Sequence, residues 1–109
     1  MNMIGETVKV IIDRPLGSYH PVHKELYYPI NYGYIADVIA ADGEGQDVYI
    51  LGVDVPLTEF TGKVIAVIHR FDDTEEKWVV APEGMQFTAE QIMEQVRFQE
   101  QYFKTEIRM

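Results

Sequence analysis

The chain has 109 residues, 47% of them hydrophobic and 25% charged, with no cysteine and a formal net charge of -9. That describes one domain with one modest core, no disulfide or thiolate chemistry, and none of the clustered Lys and Arg that a phosphate-backbone partner requires. The start of the sequence lacks the basic-then-apolar pattern of a leader, and the longest aliphatic run, Val64–Ile68, is far too short to span a bilayer. The sequence therefore speaks against nucleic acid and membrane as partners, and a chain without cysteine fits a reducing cytoplasm.

Taken in order, Thr7–Asp13 (TVKVIID) sets Val8, Val10 and Ile12 against Thr7 and Lys9, with Ile11 on the second face, which predicts a largely buried strand. Arg14-Pro15-Leu16-Gly17-Ser18 supplies the turn that ends it. Pro29 confines Tyr28 to extended backbone. Gly33–Ala40 predicts a second strand. Asp47–Val53 predicts a third, with Val48, Ile50 and Gly52 alternating against Tyr49, Leu51 and Val53. Gly62–Phe71 is apolar on both faces from Val64 to Ile68, as a central buried strand should be. The acidic run Asp72–Glu76 turns the chain, and Lys77–Pro82 returns as its hairpin partner. Thr88 and Gln91 form a capping-box pattern. It opens a helix that places Ile92, Val96 and Phe103 near one face, with Gln99 between, and that is expected to end near Lys104, followed by a short extended tail.

The stretch from Tyr27 to Leu51 carries the strongest chemical signal. Four tyrosines, Tyr27, Tyr28, Tyr32 and Tyr34, precede a turn that holds Asp42, Glu44 and Asp47 with Gly43 and Gly45 among them. Glycine permits the positive φ of a tight turn, and carboxylates aimed at one point repel unless a cation sits among them. Mg²⁺ prefers such oxygen ligands. Spacing alone equally describes a solvated acidic hairpin, and the pattern is not an EF-hand.

YPINYGYI followed by DGEGQDV resembles the core signature of the soluble family I inorganic pyrophosphatases, approximately YP-x-NYGY-I and then DGDP-x-DV. Tyr28, Pro29, Asn31, Tyr32, Gly33, Tyr34, Asp42, Gly43, Asp47 and Val48 match; Glu44 stands where the family has Asp, and Gly45 where it usually has Pro. The resemblance implies a mainly β fold, a small OB-like antiparallel barrel of about five or six strands with one C-terminal α-helix, spanning 1–109 as a single domain. It implies Mg²⁺-dependent hydrolysis of inorganic pyrophosphate, with Mn²⁺ as an alternative ion. Asp42, Glu44, Asp47, Asp72 and Glu75 would be metal ligands. Glu44 would be the candidate base. Lys77 and Tyr32 would hold the phosphate, with Tyr28 and Tyr102 as further contacts. Glu75 shares its assignment with Asp73 and Glu76. Lys104 falls one residue late against the family's Tyr-Lys pair, a rotation of about 100° on a helix.

The family's Lys-Tyr-Glu segment and the hairpin after it have no counterpart between Ser18 and Tyr28, so that hairpin is expected to be deleted. His20, His23, Lys24 and Glu25 fill the gap. Anionic ligands need positive or N–H donors, so His20, His23 and Lys24, with Arg14, are candidate phosphate contacts. The His-x-x-His spacing also suits a metal but lacks a third ligand in sequence. Two alternatives accompany pyrophosphate hydrolysis: a weak relative that binds metal and a phosphorylated ligand, and a hydrolase of another phosphoanhydride such as a nucleotide. A homo-oligomer is compatible with the sequence.

Overall fold

A computed structural model describes residues 3–71 and 75–109. Its elements are β1 (Thr7–Arg14), β2 (Asn31–Ile39), β3 (Gly45–Ile50), β4 (Glu59–Arg70), β5 (Glu76–Ala81), α1 (Ala89–Glu100) and β6 (Thr105–Arg108). The strands pair in the order β1-β2-β3-β5-β4, and β4 pairs with β1 to close a five-stranded barrel. This is the OB-like barrel with a C-terminal helix expected from the sequence. Its pairs are antiparallel except β3 with β5, which run parallel. Strand β4 makes closure possible by its length. Glu59–Lys63 pairs with β1, and Val67–Arg70 pairs with β6.

Several boundaries differ from the sequence expectation. Strand β4 begins at Glu59 rather than Gly62, because a polar, exposed stretch still supplies the backbone edge that β1 needs. The tail expected to be merely extended is strand β6, held on β4. The helix stops at Glu100, where Phe103 N–H turns back to the Glu100 carbonyl at 3.0 Å. Between Ser18 and Tyr28, where the family's hairpin is expected to be deleted, the chain makes a short hairpin. Tyr19 pairs with Tyr27 in an isolated antiparallel bridge, and their rings meet edge to face at 5.3 Å.

Alternation along the strands sorts the apolar residues into two cores. Val10, Ile12, Ile35, Val48, Ile50, Val64, Trp78 and Val80 fill the barrel. Tyr49, Leu51, Ala66, Ile68 and Val79 point to the other face, where Ile92 and Val96 of α1 cover them. The capping box is present as the sequence indicates. Thr88 Oγ1 accepts from Gln91 N–H at 3.1 Å, and Gln91 Oε1 accepts from Thr88 N–H at 2.9 Å. Gly33 lets β2 lie against β1, since a Cβ there would fall 2.0 Å from the Ile11 carbonyl oxygen. Among the described residues, no helix is long and apolar enough to cross a membrane.

Asn31 of the tyrosine motif has a structural task. It is fully buried, and its Oδ1 accepts from Leu16 N–H at 2.9 Å and Leu57 N–H at 3.0 Å, while Nδ2 donates to the Val55 carbonyl at 2.9 Å. One side chain thus ties two loops to β2. Asn31→Ala should lower stability by roughly 2–4 kcal/mol, because it strands buried backbone groups. Urea unfolding measures this, and a loss under about 1 kcal/mol would contradict the assignment.

Candidate active site

The cleft lies on the helix-covered face, beside the C-terminal end of α1. The parallel register sets Val48 opposite Trp78, so Asp47 and Lys77 lie side by side at the open end of that face. Tyr32 joins them from β2, where it pairs with Tyr49. The ends of β1 and β4 add Asp13, Arg14 and Arg70, the segment after β1 adds His20, His23, Glu25 and Tyr28, and the end of α1 with the turn after it adds Gln99, Tyr102 and Phe103. Together they enclose a cleft of about 640 Å³, within the usual size range of small-molecule sites.

Two internal cations organise its floor. Lys77 Nζ donates to Asp47 Oδ2 at 2.6 Å and reaches Glu75 Oε1 at 3.4 Å. Arg70 holds Glu100 with two bonds, Nε to Oε1 at 3.0 Å and Nη2 to Oε2 at 2.7 Å, and donates through Nη1 to Glu75 Oε2 at 3.0 Å. Its guanidinium lies 3.7 Å from the centre of the Phe103 ring. Planar, always-charged arginine suits such a bidentate, stacked position. Burial works against the charged form of Lys77, but Tyr32 and the Asp47 carboxylate outweigh it, so the ammonium persists and its pKa is raised. Burial likewise opposes the charge of Arg70, and the Glu100 bonds outweigh it.

The hydroxyls nearby stay neutral. Burial raises the pKa of Tyr32, Tyr28 and Tyr49, and the Glu100 carboxylate raises that of Tyr49 further. They form a chain. Tyr28 OH donates to Gln99 Oε1 at 3.1 Å, Gln99 Nε2 donates to Tyr49 OH at 2.7 Å, and Tyr49 OH donates to Glu100 Oε2 at 2.5 Å. At the mouth, His20 Nδ1 accepts from the backbone N–H of Val22 at 3.1 Å and His23 at 3.0 Å. That leaves its proton on Nε2 as a donor. Removal from water, the Arg14 charge and His23 lower the pKa of His20, which favours the neutral ring. Burial raises the pKa of Asp13 despite Arg14 beside it.

The structure brings together only part of the expected set. Tyr28, Tyr32, Asp47, Lys77, Tyr102, His20 and His23 line the cleft, and Glu75 joins them through Lys77 and Arg70. The convergence expected of Asp42, Glu44 and Asp47 is not found. Asp42 and Glu44 are exposed on the β2–β3 turn and do not line the cleft, and Asp42 Oδ1 accepts from Glu44 N–H at 3.0 Å, with Gly43 at a φ of 84°. The local turn bond directs the Asp42 carboxylate onto its own backbone, while strand alternation directs Asp47 into the cleft. Lys24 is exposed and borders a shallow outer groove with Tyr19, His20 and Pro21. Asp72, with Asp73, lies outside the described residues. No group of three or more His, Asp or Glu among the described residues is placed to hold a metal ion, the His20–His23 pair included.

Sequence reasoning missed Arg70 and Glu100. The signals were present. Arg70 continues the buried alternation of Val64, Ala66 and Ile68 along β4, and Glu100 continues the Ile92–Val96 face of α1. A charge on each of two inward faces calls for a partner on the other.

Fold and cleft define a small β-barrel protein with a mixed-charge, oxygen-rich cleft. A model of the inorganic pyrophosphatase family matches residues 3–106, and the chain belongs to that family. A stretch of 51 residues, 44% of this chain, is 37% identical to the inorganic pyrophosphatase of Caulobacter vibrioides and spans 29% of that protein's length. The fold is similar to an inorganic pyrophosphatase from Ehrlichia chaffeensis, with a TM-score of 0.70 and 18% identity over 96% of this chain and 86% of that one. It is also similar to one from Neisseria gonorrhoeae, with a TM-score of 0.68 and 19% identity over 90% and 74% of the two chains.

The Arg70–Glu100 pair makes a sharp prediction. Both side chains are buried, so Glu100→Ala should cost roughly 3–5 kcal/mol by leaving the guanidinium with one carboxylate, whereas Arg70→Met with Glu100→Leu should recover most of that loss. Denaturant titration of wild type, single and double variants tests it. Equal losses in the single and double variants would contradict it.

Proposed function

We propose that this protein hydrolyses inorganic pyrophosphate to phosphate and that it does so with Mg²⁺, or Mn²⁺ in its place. Family membership supports the reaction class. The observation that carries the reading is the Lys77 ammonium held between Asp47 and Glu75 beside the Tyr32 hydroxyl. Two carboxylate oxygens already gather round a positive charge there, which is the donor chemistry a hard divalent ion takes. The residues fit the ion on that ground. Asp47 and Glu75 would hold it, with Asp72 as a further candidate from the sequence.

When bound, Mg²⁺ supplies positive charge to phosphoryl oxygens and acidifies water. The chain's own groups do the rest. Lys77 and Tyr32 take phosphate oxygens on the cleft floor, Tyr28 and Tyr102 bound its sides, and His20 with His23 offers N–H donors at the mouth. Glu44, outside the cleft lining, is not assigned the base in this reading, and Asp42 and Lys24 take no direct role. We place the reaction in the cytoplasm, which a chain free of cysteine fits.

Phosphate release from pyrophosphate, measured with Mg²⁺, with Mn²⁺ and with EDTA, tests the proposal. Turnover should require the metal, and Lys77→Ala should lower kcat/KM by roughly 100-fold or more, because a charge-assisted contact to the developing charge is lost. Nucleotides are the second substrate class to compare. A nucleotide panel belongs in the same assay. No release above background with either ion would overturn hydrolysis of pyrophosphate.

A further inference from the structure

We infer that the outer edge of β6 is an interface between two copies of this chain, which pair it antiparallel about a two-fold axis at Ile107. Nothing in this interface depends on the proposed reaction.

Strand β6 stands outside the closed barrel. It is the last strand in the sheet order, with β4 as its one strand partner among the described residues. Phe71 N–H donates to the Lys104 carbonyl at 2.9 Å, and hydrogen-bonded pairs alternate along an antiparallel ladder. Glu106 and Arg108 therefore bond to β4 as Lys104 does, while the N–H and C=O groups of Thr105 and Ile107 point the other way. Arg70, opposite Thr105, agrees with this phase, because its N–H donates to the Glu75 carbonyl, away from β6. No backbone group of the described residues meets the outward groups of Thr105 and Ile107. Such a row is a template for another strand.

The side chains on that edge specify which strand. An edge that carries charges of one sign repels a copy of itself. Strand β6 carries one of each sign. Glu106 and Arg108 are exposed and stand two residues apart, so they share a face. With Ile107 set against Ile107 of a second copy, Glu106 falls opposite Arg108 of that copy and Arg108 opposite its Glu106. These are non-hydrogen-bonded pairs, in which facing side chains come closest. In the single chain Arg108 Nε donates to Glu106 Oε2 at 2.9 Å, so pairing joins two such ion pairs into a ring of four alternating charges. The other face supplies apolar contact. Ile107 is half-buried against the helix-side core, and its counterpart covers the part left open. Thr105 falls opposite Met109, which is 58% exposed. The arrangement is isologous and closes at two copies. An unrelated strand has no such match of charge built in for it, so the occupant is a second copy.

Sedimentation equilibrium of the whole chain over a wide range of concentration tests the inference. Wild type should reach twice the chain mass. Ile107→Pro should weaken the dimer by about tenfold or more, because it deletes the outward N–H and leaves the ladder on β4 intact. Glu106→Arg and Arg108→Glu should each weaken it by about tenfold or more, because like charges then face each other. Mixed in equal amounts, those two variants should form a heterodimer about as tight as the wild-type dimer, since every Arg of one then meets a Glu of the other. Wild type that stays monomeric would overturn the inference and leave the edge to solvent or to a strand of another protein. A dimer that all three variants leave unchanged would place the interface elsewhere and overturn it as well. So would a mixture that associates no more tightly than either charge variant alone. The charge variants lie on an exposed face and decide the matter if Ile107→Pro fails to fold. A lack of pyrophosphate turnover would count against the proposed reaction and leave these masses as they stand.

Discussion

The rest of the site depends on where Arg70 places its charge. The guanidinium is buried at the end of β4, bidentate on Glu100 and bonded to Glu75, with Phe103 stacked on its face. An unpaired charge at that depth would be prohibitive, so the pairing must form as α1 docks. Docking sets the Glu100 carboxylate, the turn that carries Tyr102 and Phe103, and the angle at which Glu75 meets the cleft. A single ion pair thereby couples the helix, the barrel and the cleft floor.

From Glu100 the polar contacts run in two directions. One passes through Tyr49 and Gln99 to the Tyr28 hydroxyl, and the other through Arg70 and Glu75 to Lys77 and Asp47. Both directions end at groups that line the cleft. Low local dielectric strengthens every bond of such a network when all its members are satisfied. Within this network Asp47 and Glu75 are paired with Lys77, and Glu75 with Arg70 as well.

Much of the barrel was legible in the sequence, and the reasons are local. The alternation of Val48 and Ile50 against Tyr49 and Leu51 predicted which face each would take, and the two cores follow it. Thr88 and Gln91 are three residues apart in one turn of helix, so their reciprocal bonds are readable from spacing. The parallel register of β3 and β5 was not readable, because it is set by closure of the barrel rather than by either strand. Strand β6 was faint for the same reason, since its partner β4 lies far away in sequence. Within the site, Tyr32, Asp47 and Lys77 stood out because strand alternation and motif agreed. Asp42 and Glu44 do not reach the cleft in the structure, because a turn allows carboxylates to converge without requiring it, and Asp42 makes a local Asx bond. Arg70 and Glu100 escaped notice because each was read within its own element, where a charged residue at a strand or helix end looks solvated.

The proposed function requires a divalent ion in the cleft, with Asp47 and Glu75 as its proposed ligands beside Lys77. Anomalous diffraction from crystals grown with Mn²⁺ and inorganic phosphate addresses it directly. An anomalous peak bonded to Asp47 and Glu75 is expected, with Lys77 Nζ on a phosphate oxygen. A peak at the Asp42–Glu44 turn, with Lys77 still paired to Asp47, would contradict it.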